Sequence, residues 1–351
     1  MLYKEVVEYL KRRKQYNIVD DSSYRVENVF RQCLGVKGDE KVLVITDFGK
    51  PGKSASTLLG ATVFFAAKRL GLDASFVVQT VRKRGEPADK YIIRELSKLD
   101  DPSIIFLCTY RGIGTVQPFY KSLKQFCLDY NHRYITSAGL QELPTSQFQN
   151  IISLIDVDYH NMQAKAKRIS SVLDKGKELQ VSTDKGTDLW IGINKMDSIK
   201  NSGEYQRFGA GGNLPVGEVY IAPRKSKAEG VVVVDGSVKH YKGTSVLKKP
   251  VQMVFSRGEV IDIKGTQANK VLQTLKMAEE RSEEKRNVYR LGEFGIGINP
   301  NGDFFGPTLL NEKALGTAHI AIGSNVYFGG DVKVPVHIDH VFKNPVIAVD
   351  G

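Results

Sequence analysis

The first half of the chain alternates short apolar runs with longer amphipathic stretches. Lys41-Val-Leu-Val-Ile-Thr46 is brief and β-branched, the pattern of a strand buried on both faces. A helix is expected from Ser56 to Arg69, closed by Gly71. Ala74–Gln79, Ser103–Cys108 and Arg133–Thr136 read as further strands. Helices are expected between them over about 88–99 and 117–130, and a long one over 158–175. This β-α-β-α order predicts an α/β N-terminal domain with a doubly wound parallel sheet.

The pattern changes near residue 177. Leu179–Ser182, Leu189–Ile193, Glu218–Ile221, Gly230–Val234 and Val251–Phe255 are short strands separated by turns. One helix interrupts them over about 266–287, its charge run explained by ion pairs along the helix face. The last segment returns to strands. The expected architecture is an α/β Rossmann-like domain over 1–177 and an α+β domain of mostly antiparallel strands over 178–351, the latter carrying the metal site.

Composition narrows the class. The 351 residues suit two domains, and 41% hydrophobic with 25% charged residues suits ordinary globular cores. No long uninterrupted apolar run marks a membrane span. Met1–Leu10 reads as the start of an amphipathic helix, not a secretory signal. Cys33, Cys108 and Cys127 lie far apart in apolar contexts, as buried free thiols of a cytoplasmic protein would. The net charge of +11 is dispersed, with small clusters at Lys11–Lys14, Arg82–Arg84 and Arg224–Lys227, so no nucleic-acid partner is expected. The loop Gly49-Lys-Pro-Gly-Lys-Ser54 lacks P-loop spacing and reads as a plain strand-to-helix connection.

Candidate chemistry gathers near the C-terminus. His319 lies in Thr317–Gly323, and His337, Asp339 and His340 lie in Val336–His340. Two-residue spacing puts His337 and Asp339 on one strand face, with His340 on the other. An imidazole and a carboxylate on one face can ligate a metal, with His319 as a third ligand, or can simply be polar residues of an exposed face. Glu218 and Glu293 are single acids in Gly-rich, apolar surroundings, where a carboxylate needs a partner or a metal.

Asn213-Leu-Pro-Val-Gly-Glu-Val-Tyr220, Leu291-Gly-Glu-Phe294, Leu315–Gly323 and His337-Ile-Asp339 together resemble motifs that occur in this order in the thermophilic-type metalloaminopeptidases, the aminopeptidase T, aminopeptidase S and PepS group. Ser182–Leu189 and parts of the N-terminal half are similar too. The resemblance implies a homodimeric aminopeptidase acting on small peptides, with two divalent ions (Zn, Co or Mn). Glu218, Glu293, His319, His337 and Asp339 would be the ligands, and Glu218 would also serve in catalysis. The family places a tyrosine shortly beyond its first site histidine. Tyr327 is the nearest such residue, and it either takes that role or is an ordinary packed aromatic. A second reading is a 2,5-dihydroxypyridine dioxygenase-like protein holding one Fe(II) on His319, His337 and Asp339. A third is a non-catalytic binding protein of the same fold.

Overall fold

The computed structural model describes residues 3–83, 85–100 and 102–351; Met1, Leu2, Arg84 of the second basic cluster and Asp101 lie outside them. The chain divides into two compact units, one of residues 1–160 and 203–216, the other of residues 161–202 and 217–351.

The first unit is the expected doubly wound sheet. Its strands run Asp73–Gln79, Lys41–Asp47, Ile104–Cys108, Arg133–Ser137 and Gly211–Asn213 from edge to edge, and every pairing is parallel. Val42 to Asp47 are buried, as a central parallel strand requires. The last strand comes from the returning segment 203–216 and has no apolar pattern of its own. Gly211 and Gly212 suit that place, because a Cβ at either would overlap the Tyr134 or Tyr205 side chain. The helix expected over 117–130 spans only Leu123–Asp129, because Ser122 caps it by accepting from Gln125 N at 3.1 Å. All three cysteines are free and buried.

The second unit carries two antiparallel sheets, in keeping with the α+β expectation. The six-stranded sheet runs Glu259–Gly265, Val251–Ser256, Ala228–Val234, Asp188–Gly192, Glu178–Ser182 and Val346–Val349. The seven-stranded sheet runs Gly243–Val246, Ser237–His240, His337–Lys343, Thr317–Gly323, Leu291–Gly297, Glu218–Ile221 and Ser198–Asn201. The helix expected to reach residue 287 covers Ala268–Glu279. No apolar residue occurs between Ala278 and Val288, so that stretch has no face to bury and the helix stops. No helix among the described residues is long and apolar enough to cross a membrane.

Close packing in the first unit depends on Gly60, in the helix Ala55–Arg69 that lies against the sheet. A Cβ there would stand 2.9 Å from Thr46 Cβ, and Thr46 is pinned by donating to Ser56 O at 2.9 Å. Gly60→Ala is therefore expected to destabilise the protein by about 1–3 kcal/mol in urea unfolding. An unchanged midpoint would show that the interface relaxes freely.

Candidate metal centre

The seven-stranded sheet sorts its side chains by strand alternation. Gly323 pairs with His337, Ala321 with Asp339 and His319 with Val341, so both histidines and Asp339 share one face. Glu293 opposes Ala321 and Gly295 opposes His319 on the next strand. Tyr220 and Glu218 follow opposite Gly295 and Gly297, and Asn201 opposes Glu218. The other face is apolar, carrying Ile221, Phe294, Ile320, Ile338 and Phe342. It also holds His340, fully buried and without a hydrogen-bond partner at either ring nitrogen among the described residues, whose pKa burial lowers to about 4.

A one-residue bulge brings Glu293 to the functional face. The register shifts between Leu291 and Glu293, so Leu291 stays with apolar Ile322 while Glu293 joins Ala321. The extra residue is Gly292, where a Cβ would overlap the Gly323 carbonyl. Gly295 gives the His319 ring its space, since a Cβ there would overlap Nε2 and Cε1.

The five acids and histidines form a continuous chain of close contacts. Glu218 Oε2 lies 3.7 Å from His319 Nε2, which lies 3.1 Å from Glu293 Oε1. Glu293 Oε2 lies 3.4 Å from His337 Nε2, which lies 3.2 Å from Asp339 Oδ1. Glu293, His337 and Asp339 form the tightest group, each offering one ligand atom within 4.8 Å of the others.

His337 shows what the group is suited to hold. Its Nδ1 donates to Ser324 O at 2.7 Å, so the neutral ring turns its Nε2 lone pair toward two carboxylates. A lone pair facing carboxylates is repulsive unless a proton or a metal cation lies between them. The donor set of imidazole nitrogen and carboxylate oxygen therefore fits a divalent ion.

Several residues at this site have no counterpart in the sequence-based expectation. Lys313, with no exposed side-chain surface, donates to Glu218 Oε1 at 2.5 Å and to Glu312 Oε1 at 2.7 Å. Asn201 Nδ2 donates to the same Glu218 oxygen at 2.9 Å. Burial works against the Glu218 charge, but Lys313, His319 and Asn201 outweigh it and lower its pKa. Burial raises the Glu312 pKa to about 8 against the pull of Lys313. Sequence offered one signal for this pair: Glu312-Lys313 is an acid and a base set between Leu309-Leu310 and Ala314-Leu315, an apolar context that demands mutual pairing.

Tyr327 sits apart from the cluster, 91% exposed in the short turn Val326–Phe328. Its neighbour Phe328 turns inward, edge-on to Tyr220 at 5.3 Å and to His337 at 6.0 Å. The phenol on the site face is that of half-buried Tyr220. Burial and the Glu218 and Glu293 carboxylates raise its pKa and keep it protonated.

Residues 157–331 match the model of the thermophilic metalloprotease (M29) family. The chain is 27% identical over 191 residues to aminopeptidase PepS of Streptococcus thermophilus, covering 48% of this chain and 44% of that protein. It is 28% identical over 145 residues to aminopeptidase AmpS of Bacillus subtilis, covering 41% and 34%. Residues 157–331 of this chain thus resemble the thermophilic metalloprotease family, whose named relatives here are aminopeptidases. The matches span less than half the length of these curated relatives.

Two solved structures share the fold of this chain. The 2,5-dihydroxypyridine dioxygenase of Pseudomonas putida KT2440 matches with a TM-score of 0.68 at 17% identity, over 94% of this chain and 93% of that one. AmpT of Thermus thermophilus matches with a TM-score of 0.61 at 16% identity, over 93% and 94%.

The ionisation of the site yields a signed prediction. Burial opposes charging His319, but Glu293, Glu312 and Glu218 outweigh it and raise its pKa to about 9. His337 likewise rises to about 10 through Asp339 and Glu293. The stability these charged rings contribute is complete below about 6.5 and is lost as pH rises through about 9 to 10. The melting temperature of chelator-treated protein should therefore fall across that window, as read by circular dichroism. A melting temperature that stays level or rises would contradict this charge assignment.

Proposed function

We propose that the chain is a metal-dependent aminopeptidase that removes N-terminal residues from small peptides. The observation that carries this is the single imidazole between two carboxylates, Glu293, His337 and Asp339, of which Glu293 lies within the family-matched residues 157–331 and the other two just beyond them. In our reading these three hold one divalent ion, and Glu218, His319 and Glu293 hold a second. Zn, Co and Mn all suit the donors. Ions bound there would supply Lewis acidity toward a peptide carbonyl and toward water.

The chain's own residues would do the rest. Ser324 O fixes the His337 tautomer and aims its Nε2. Lys313 and Asn201 lock Glu218 Oε1, leaving Oε2 free to accept a proton or hold a metal. The protonated Tyr220 phenol is placed to donate to negative charge developing on a carbonyl oxygen. Phe328 packs edge-on against both Tyr220 and His337 and so helps hold their orientation.

The dioxygenase reading rests on likeness of fold. A facial triad takes two imidazoles and one carboxylate, whereas the tightest group here has one imidazole and two carboxylates. That difference favours hydrolysis.

Metal analysis of protein purified without chelator should find two divalent ions per chain, and Leu-p-nitroanilide should be hydrolysed. Chelation should abolish that hydrolysis and added Zn, Co or Mn restore it. Glu293→Ala should lower kcat/KM by about 100-fold or more. One iron per chain with no release of p-nitroaniline would overturn the proposal.

A second comparison tests the phenol. Tyr220→Phe should lower kcat about 100-fold with little change in KM. Tyr327→Phe should change kcat less than about twofold, because its side chain is in solvent. The reverse order would return the role to Tyr327.

A further inference from the structure

The first unit contains a cavity of about 640 Å³ that the peptidase reading does not use. It opens beyond the carboxyl ends of the parallel strands, between the loop that follows Asp73–Gln79 and the loop that follows Ile104–Cys108. Small ligands of doubly wound sheets bind outside the carboxyl ends of the strands.

The chemistry of the lining is one-sided. Arg82, Lys83 and Arg111 are its ionisable side chains, and Gly112, Gly114 and Gly85 bring backbone close. The nearby acids are already engaged: Asp89 pairs with Arg82 and accepts from Thr80 N, and Glu86 accepts from Lys83 N at 2.7 Å. Arg82 Nε is buried and has no hydrogen-bond partner among the described residues. An unused donor on a cavity-lining guanidinium calls for an acceptor that the protein does not supply. Leu107 and Ile113 add an apolar wall.

The walls are also held in place. Ala88 N donates to Thr115 O and Thr115 N to Glu86 O, each at 2.8 Å, stitching the loop after one strand to the loop after another. Gln79, almost wholly buried, donates from Nε2 to Gly112 O at 3.3 Å, while its Oε1 has no hydrogen-bond partner among the described residues. Gly114 is required at this joint, since its φ is +93° and a Cβ would stand 2.7 Å from Glu86 O. Fixed walls spare a ligand the cost of ordering them.

We propose that this cavity is a second binding site, for a small organic phosphate. Arg82, Lys83 and Arg111 receive the phosphate, and the apolar wall receives the body of the molecule. The site lies wholly within the α/β unit and stands independently of the peptidase proposal.

Equilibrium dialysis of the full chain at low salt, with AMP, adenosine and inorganic phosphate as probes, tests this. AMP should bind saturably, at least about tenfold more tightly than adenosine or inorganic phosphate, and weaken with added salt. Arg111→Ala and Lys83→Ala, both exposed loop positions, should each weaken AMP binding about tenfold while Leu-p-nitroanilide hydrolysis is retained. No saturable AMP binding, equal binding of adenosine, or AMP binding unaffected by both substitutions would overturn the proposal. Inorganic phosphate binding as tightly as AMP would overturn the organic part of the assignment.

Discussion

The site face of the seven-stranded sheet is governed by one constraint: carboxylates withdrawn from water must be met by positive charge. Among the described residues, Glu218, Glu293, Glu312 and Asp339 share this region with one permanent cation, the ammonium of Lys313. Lys313 satisfies Glu218 and Glu312 at once, and only the rings of His319 and His337 remain for Glu293 and Asp339. Either those rings are protonated, as their raised pKa values describe, or metal ions take the place of the protons. Breaking a buried charged set by removing one member leaves the others uncompensated, which is far costlier than losing a surface pair.

Charge balance alone does not assemble such a face. Backbone geometry brings the charges into contact, and three glycines make it workable. Gly292 reverses the strand's parity so that Glu293 turns inward, Gly295 opens room for the His319 ring, and Gly217 packs against Asn299 just before Glu218. Each has a neighbour that a Cβ would overlap. The Gly-rich surroundings of the two glutamates are thus the means by which the bulky acid and histidine side chains fit on a tightly paired sheet, and an apolar opposite face anchors that sheet in the core.

Much of this was legible from the residues. The relation of His337 to Asp339 follows from the two-residue strand period, and placing His319 on a neighbouring strand needed only its closeness in sequence. Glu218 and Glu293 stood out as isolated acids among glycines. Lys313, Glu312, Asn201 and Tyr220 were not legible in the same way, because their meeting depends on strands far apart in the chain. The orientation of the Tyr327 segment was equally hidden. In a turn of three residues, adjacent Tyr327 and Phe328 must diverge, and packing against Tyr220 and His337 selected Phe328 for the inside.

The sequence by itself determined the alternation of strand and helix, the change to antiparallel strands in the second half, and which residue types carry the chemistry. Those properties are local, set by side-chain period, β-branching and turn residues within a few positions. Only the tertiary structure decided that Gly211–Asn213 returns to complete the parallel sheet, that a bulge turns Glu293 inward, and that a lysine from a separate segment neutralises Glu218. Each is a matter of register or long-range pairing, where a shift of one residue sends a side chain to the opposite face. No local pattern fixes that choice; the packed sheet does.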